Sequence, residues 1–231
     1  MATRIKSDEL NIVGSEQIVE HSNILSIDDF FDTMYLTDSE KEERKDFAKA
    51  IFSVLSVLLT IVLAKETIIK ANGGEHDTQY YEDYIKDNLL PLYREVFGSD
   101  KFSSQIDTFA SEFVETTIRN IGKKYFTSDD RAIVNAEQQT NATFNRDEYE
   151  KAVDSGKTQK MWITKHDMRV RHTHVEADGQ TVAIDKPFEV GGCELRFPCD
   201  PLGSAKEIVN CRCQVIYTGL PKEDIGDSEN N

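Results

Sequence analysis

Residues 160–217 constrain this chain more than any other stretch, because they concentrate side chains that a fold must place one by one. They hold the only Trp (Trp162), all four Cys (Cys193, Cys199, Cys211, Cys213) and three of the five His (His166, His172, His174). Short β-prone runs at 160–165, 181–184, 188–190, 194–197 and 213–217 alternate with the turn formers Asp178-Gly179, Asp185-Lys186-Pro187, Gly191-Gly192 and Pro198-Cys199-Asp200-Pro201. That punctuation predicts a small module of short strands and tight turns.

Upstream the hydrophobic period is that of helices. Thr37-Asp38-Ser39-Glu40 offers N-caps with acids in the first turn, and a helical pattern over 39–71 stops at Asn72-Gly73-Gly74. Further helices are expected over 77–96, with Pro91 as a candidate kink, over 103–122, with Phe109, Phe113, Val114 and Ile118 on one face, and over 128–156. The fold class is therefore α+β: an N-terminal mainly helical region followed by a small C-terminal α+β module with short strands. Its expected divisions are an arm, 1–37, with Phe30, Phe31, Met34 and Tyr35 on one face of a short helix; a helical domain, 38–155; the module, 156–220; and a disordered acidic tail, 221–231.

An uncharged run at 50–64 lies between Lys49 and Lys65. It falls short of the roughly 20 apolar residues a bilayer-spanning helix needs, so a helix buried in the protomer or between subunits is expected, and no membrane partner. The net charge is −15, and residues 1–150 carry 16 Lys and Arg against 29 Asp and Glu. Such a region is a poor surface for non-specific duplex DNA; nucleic-acid contact elsewhere is left open. The first residues show no apolar secretory core, so cytosolic synthesis is expected, with the four Cys as thiols or metal ligands rather than disulfides.

If 167–171 is extended, Asp167, Arg169 and Arg171 project to one face, either as an anion clamp or as an Asp/Arg network that fixes turns. Cys211 and Cys213, two apart, would on a strand point to one side, where His174 or His172 with Cys199 or Cys193 completes a tetrahedral zinc site. The alternative is buried free thiols. A catalytic reading takes His174 as general base, Arg169 and Arg171 on an anionic substrate and Cys211 as nucleophile. No phosphate loop or HExxH motif supports it, so no catalytic residue and no enzymatic activity are expected.

Read in order, Trp162, Asp167-x-Arg169-Val170-Arg171-x-x-His174, Asp178-Gly179-Gln180, Phe188, Pro198-x-Asp200-Pro201 and Asn210-Cys211-Arg212-Cys213 resemble the C-terminal module of phage minor head (head morphogenesis) proteins, the family named after the Mu F protein. The resemblance implies a structural network of Trp162, Asp167, Arg169, Arg171, His174, Asp178, Gly179, Asp200 and Asn210. It also implies suspicion of metal binding at His174, Cys211 and Cys213, with Cys199 as a further candidate. Cys199 stands where the family pattern has Gly. Implied too are a tailed-phage or prophage virion component acting in head morphogenesis, DNA packaging or delivery, portal or capsid protein as partner, and residence in the virion head after assembly in the host cytoplasm. The acidic helical region itself is expected to pack with a second copy, portal or scaffold. The rival functions are a metal-dependent hydrolase or nucleotide-acting enzyme centred on His174, and an internal protein ejected with the genome.

Overall fold

The computed structural model of the chain describes residues 26–219. The chain divides after Thr143 into two compact units. The arm's first 25 residues and the acidic tail lie outside the described residues.

The first unit is helical. α1 (Ile27–Asp32) starts at the N-cap Ser26, and its Ile27, Phe30 and Phe31 join Met34 and Ala48 in one apolar cluster. Tyr35, expected on the same face, is instead 55% exposed because the helix ends before it and the chain turns. α2 (Asp38–Asn72) opens with a capping box: Glu40 N donates to Thr37 Oγ1 at 3.3 Å, and Thr37 N donates to Glu40 Oε2 at 2.8 Å. Phe47, Ile51, Leu55, Leu58, Leu59 and Val62 form its buried stripe. By length and composition α2 could cross a membrane, but 39% of its most apolar window is buried within the fold.

α3 (Thr78–Phe97) buries Tyr81, Ile85, Leu89 and Tyr93, every fourth residue, and runs through Pro91 to Gly98, whose left-handed φ of 65° closes it. α4 (Ser103–Arg119) buries Phe109, Phe113 and Val114 as expected but stops short of residue 122, giving way to a 3-10 turn (Lys124–Thr127). Phe47, Tyr93, Phe97 and Phe102 meet in edge-to-face and tilted pairs, with ring centroids 4.8–6.0 Å apart, and tie α2, α3 and the start of α4 together.

α5 (Asp129–Asp154) is polar, yet Thr140, Asn141, Thr143 and Asn145 are buried. Three of the four find a partner in their own unit: Arg44 Nη1 donates to Asn141 Oδ1 at 2.7 Å, Gln105 Nε2 donates to Thr143 Oγ1 at 2.9 Å, and Asn145 Nδ2 donates to the Pro198 carbonyl at 2.9 Å. Thr140 is the exception, its Oγ1 making no hydrogen bond. Satisfied buried polar groups fix which neighbour each turn of a helix meets.

In the second unit β1 (Gln159–Ile163) is the centre of an antiparallel sheet in the order β2-β1-β5, with β2 (Thr181–Ala183) and β5 (Gln214–Thr218) at its edges. Lys160 pairs with Tyr217 and Trp162 with Val215, and both inward residues of β1, Lys160 and Trp162, are fully buried. β3 (Phe188–Val190) and β4 (Cys193–Leu195) make a separate hairpin through Gly191-Gly192. Two short helices, α6 (His172–Ala177) and α7 (Ala205–Ile208), complete the unit. The extended row expected at 167–171 is absent. Asp167 accepts from Arg169 N at 3.0 Å and Val170 N bonds to Asp167 O at 3.1 Å, so the chain turns there and enters α6.

Candidate metal centre

His174 is the third residue of α6, its backbone N donating to Arg171 O at 3.0 Å. Its side chain points inward and is 2% exposed. Trp162 meets the imidazole edge to face at 5.7 Å and packs against Phe188 at 5.3 Å, so β1 and β3 form the wall behind the ring. Cys211 and Cys213 come from the irregular segment immediately before β5, not from the strand itself. Asn210, at φ 54°, turns the chain between α7 and that segment, a left-handed position Asn tolerates better than most residues.

His174 Nδ1 is 3.3 Å from Cys213 Sγ and 3.7 Å from Cys211 Sγ, and the three donor atoms lie within 4.8 Å of one another. Tetrahedral zinc with N at about 2.0 Å and S at about 2.3 Å places neighbouring ligand atoms roughly 3.5–3.8 Å apart. The side chains therefore fit a metal ion with little movement. The thiols are already polarised. Cys211 is held well below the usual thiol range, first by the Cys199 thiol, then by Cys213 and by His174. Cys213 is pushed up by its contact with Cys211 and by burial. Two thiols gathered this closely around an imidazole nitrogen supply three of the donors a zinc site needs.

Cys199 lies outside the three-atom cluster. Its Sγ is 3.6 Å from the carbonyls of Ile208 and Cys211, and its φ of 64° is a left-handed conformation that suits Gly. Cys193 Sγ faces Ser204 Oγ at 3.3 Å, and His172 pairs with Glu176 at the surface. A recess of about 10 Å³ opens onto His174, Cys211 and Cys213, with Lys165, Arg169, Arg171 and Arg212 among its other walls. That volume holds about one water.

The remaining network residues form separate locks. Arg212 clamps Asp167 in a fork, Nη1 to Oδ2 at 2.7 Å and Nη2 to Oδ1 at 2.8 Å, and this contact leads the influences that lower the Asp167 pKa. Arg171 donates to the Val209 carbonyl. Asp178 Oδ1 accepts from Thr164 N at 2.7 Å and from Thr164 Oγ1 at 3.0 Å, while Oδ2 meets His166 Nε2 at 2.6 Å. Burial alone would raise the Asp178 pKa, but these bonds carry it below the usual carboxylate value. Gly179, at φ 76°, returns its N–H to Trp162 O at 2.8 Å. Asp200, fully buried, holds Arg196 through Nε at 2.7 Å and Nη2 at 2.8 Å.

The roles of Arg196, Arg212, Thr173 and Glu207 are not apparent from sequence. Arg212 lies inside the Asn210-Cys211-Arg212-Cys213 motif, yet its partner Asp167 is 45 residues away; Glu207 sits in a short run with no periodic pattern and carries no signal.

With this geometry in view, residues 111–216 match the family model described as Phage Mu protein F like protein. This region is Mu F-like. The match begins in α4 and takes in all of α5, so it reaches well upstream of the motifs between Trp162 and Cys213. The match covers a little under half of the chain and likens this region to phage Mu F-like proteins. No curated protein and no solved structure matches the chain.

Proposed function

We propose that this chain is a minor structural protein of a tailed-phage or prophage head, associated with the portal or inner capsid, whose Mu F-like region is stabilised by zinc on His174, Cys211 and Cys213. The observation that carries the reading is the Mu F match over a region whose three candidate ligands are buried together around a recess of only about 10 Å³. Space for about one water beside the ligands suits a centre that ties α6 to the segment before β5. Bound zinc would supply a cross-link between parts of the chain 37 to 39 residues apart.

Mass spectrometry of intact particles tests the assignment: the chain is expected at low copy number beside portal and capsid proteins, and its absence from purified particles overturns it. Metal analysis with thiol titration tests the zinc: one equivalent per chain is expected, whereas no metal and four reactive thiols under native conditions remove it.

A second reading, metal-assisted hydrolysis at the same centre, has one observation in its favour: the recess over the candidate ligands is walled by four basic side chains. It expects His174→Ala to abolish a measurable turnover while particles still assemble.

A further inference from the structure

We infer that Glu207 is the positioning residue of the metal centre, the carboxylate that fixes the imidazole of His174 with Nδ1 facing the two sulfurs. The inference rests on the metal reading above. His174 Nε2 is buried and makes no well-aligned hydrogen bond; the atom facing it, at 3.2 Å, is Glu207 Oε2. Both side chains are nearly sealed from solvent, at 2% and 3% exposure.

A neutral histidine has two tautomers, and which nitrogen carries the proton is set by what the other one meets. A metal on Nδ1 leaves the proton on Nε2, where the carboxylate accepts it. A carboxylate so placed orients the ligand and raises its basicity.

Glu207 is held in that place from two other elements, α6 and the β3–β4 turn. Thr173, the neighbour of His174 in α6, donates its hydroxyl to Oε2 at 2.8 Å. Lys206 approaches Oε1 at 3.6 Å. Gly191, in the β3–β4 turn, clears the space: a Cβ there would lie 2.2 Å from Oε1. The carboxylate therefore occupies the volume that any other residue at 191 would fill, and Gly191 also adopts a left-handed φ of 58°.

The test is zinc affinity of the full chain, measured by competition with a chromophoric chelator, together with the absorption spectrum of the cobalt-substituted protein. Glu207→Gln keeps the shape and removes the charge; it is expected to weaken zinc binding 10- to 100-fold and to shift the cobalt bands. Thr173→Val, which leaves the carboxylate but cuts its tether, is expected to weaken binding by a smaller factor. Affinity within about twofold of the wild type for Glu207→Gln, with Cys211→Ser abolishing binding, overturns the inference and leaves the metal reading intact. If the wild-type chain binds no zinc, the metal reading fails and takes this inference with it. Should Glu207→Gln fold poorly, Thr173→Val with unchanged affinity and an unchanged cobalt spectrum overturns the inference by itself.

Discussion

At the scale of single residues, two side chains sit where their chemistry is least comfortable. Lys160 is buried with its ammonium donating to the Arg196 carbonyl at 2.7 Å and lying 4.8 Å and 4.9 Å from the rings of Tyr149 and Phe188. Burial lowers its pKa to about 8, with Asp200 partly opposing. Because the folded value is below the unfolded one, the unfolded chain binds more protons between about pH 8 and 10.5, and this group makes stability rise with pH across that window. Lys160→Met is expected to flatten that rise, read as the difference in urea midpoint between pH 7.5 and pH 10 in variant and wild type. A rise of equal size in both would show that Lys160 does not cause it. Cys199 is the second case. With its thiol outside the three-atom cluster and its backbone left-handed, Cys199→Gly is expected to relieve up to about 1 kcal/mol of backbone strain and to leave one zinc per chain by metal analysis. Loss of bound zinc in that variant would make Cys199 the fourth ligand.

At the scale of elements, α4 and α5 are joined by a buried charge held by carbonyl and hydroxyl oxygens. Arg131, 4% exposed, donates to Thr117 Oγ1 at 2.6 Å, to the Phe126 carbonyl at 3.0 Å and to the Phe113 carbonyl at 3.0 Å, with its guanidinium 4.0 Å from the Phe113 ring. Burial lowers its pKa to about 10. The fork satisfies a carbonyl in α4 and one in the 3-10 turn at once, a geometry lysine cannot copy. Arg131→Met leaves those acceptors buried and unpaired, and a loss of about 3 kcal/mol in chemical denaturation is expected, with Arg131→Lys recovering less than half. The same scale explains what could be read from sequence. Caps and glycines state where backbone hydrogen bonding must end, so Thr37, Gly73 and Gly98 gave the limits of α2 and α3, and Gly191-Gly192 gave the β3–β4 turn. His174, Cys211 and Cys213 were legible because few side chains can bind a metal. α6 was not, because Asp167 turns the chain through a long-range pairing with Arg212, 45 residues away, that no local pattern encodes. Glu207 was illegible for the same reason: its partners come from α6 and the β3–β4 turn.

At the scale of the whole molecule, the division after Thr143 puts the only tryptophan and all three candidate ligands in one unit and most of the long helices in the other. Trp162 is fully buried and stacked edge-on against His174, so its emission reports the state of the metal centre and its unit. Far-ultraviolet circular dichroism reports mainly α2, α3 and α4. A metal that binds only the folded unit stabilises it in proportion to the logarithm of its excess over the dissociation constant, roughly 4 kcal/mol at a thousandfold excess. For a unit of this size that corresponds to a shift on the order of 15 °C or more. Heating the full chain with and without a strong chelator is therefore expected to move the tryptophan transition down by that amount and to leave the main helical transition nearly where it was. If both move together, the two units unfold as one and the metal stabilises the whole chain. If neither moves, the three ligand side chains hold their places through Trp162, Glu207 and the Asp–Arg locks alone.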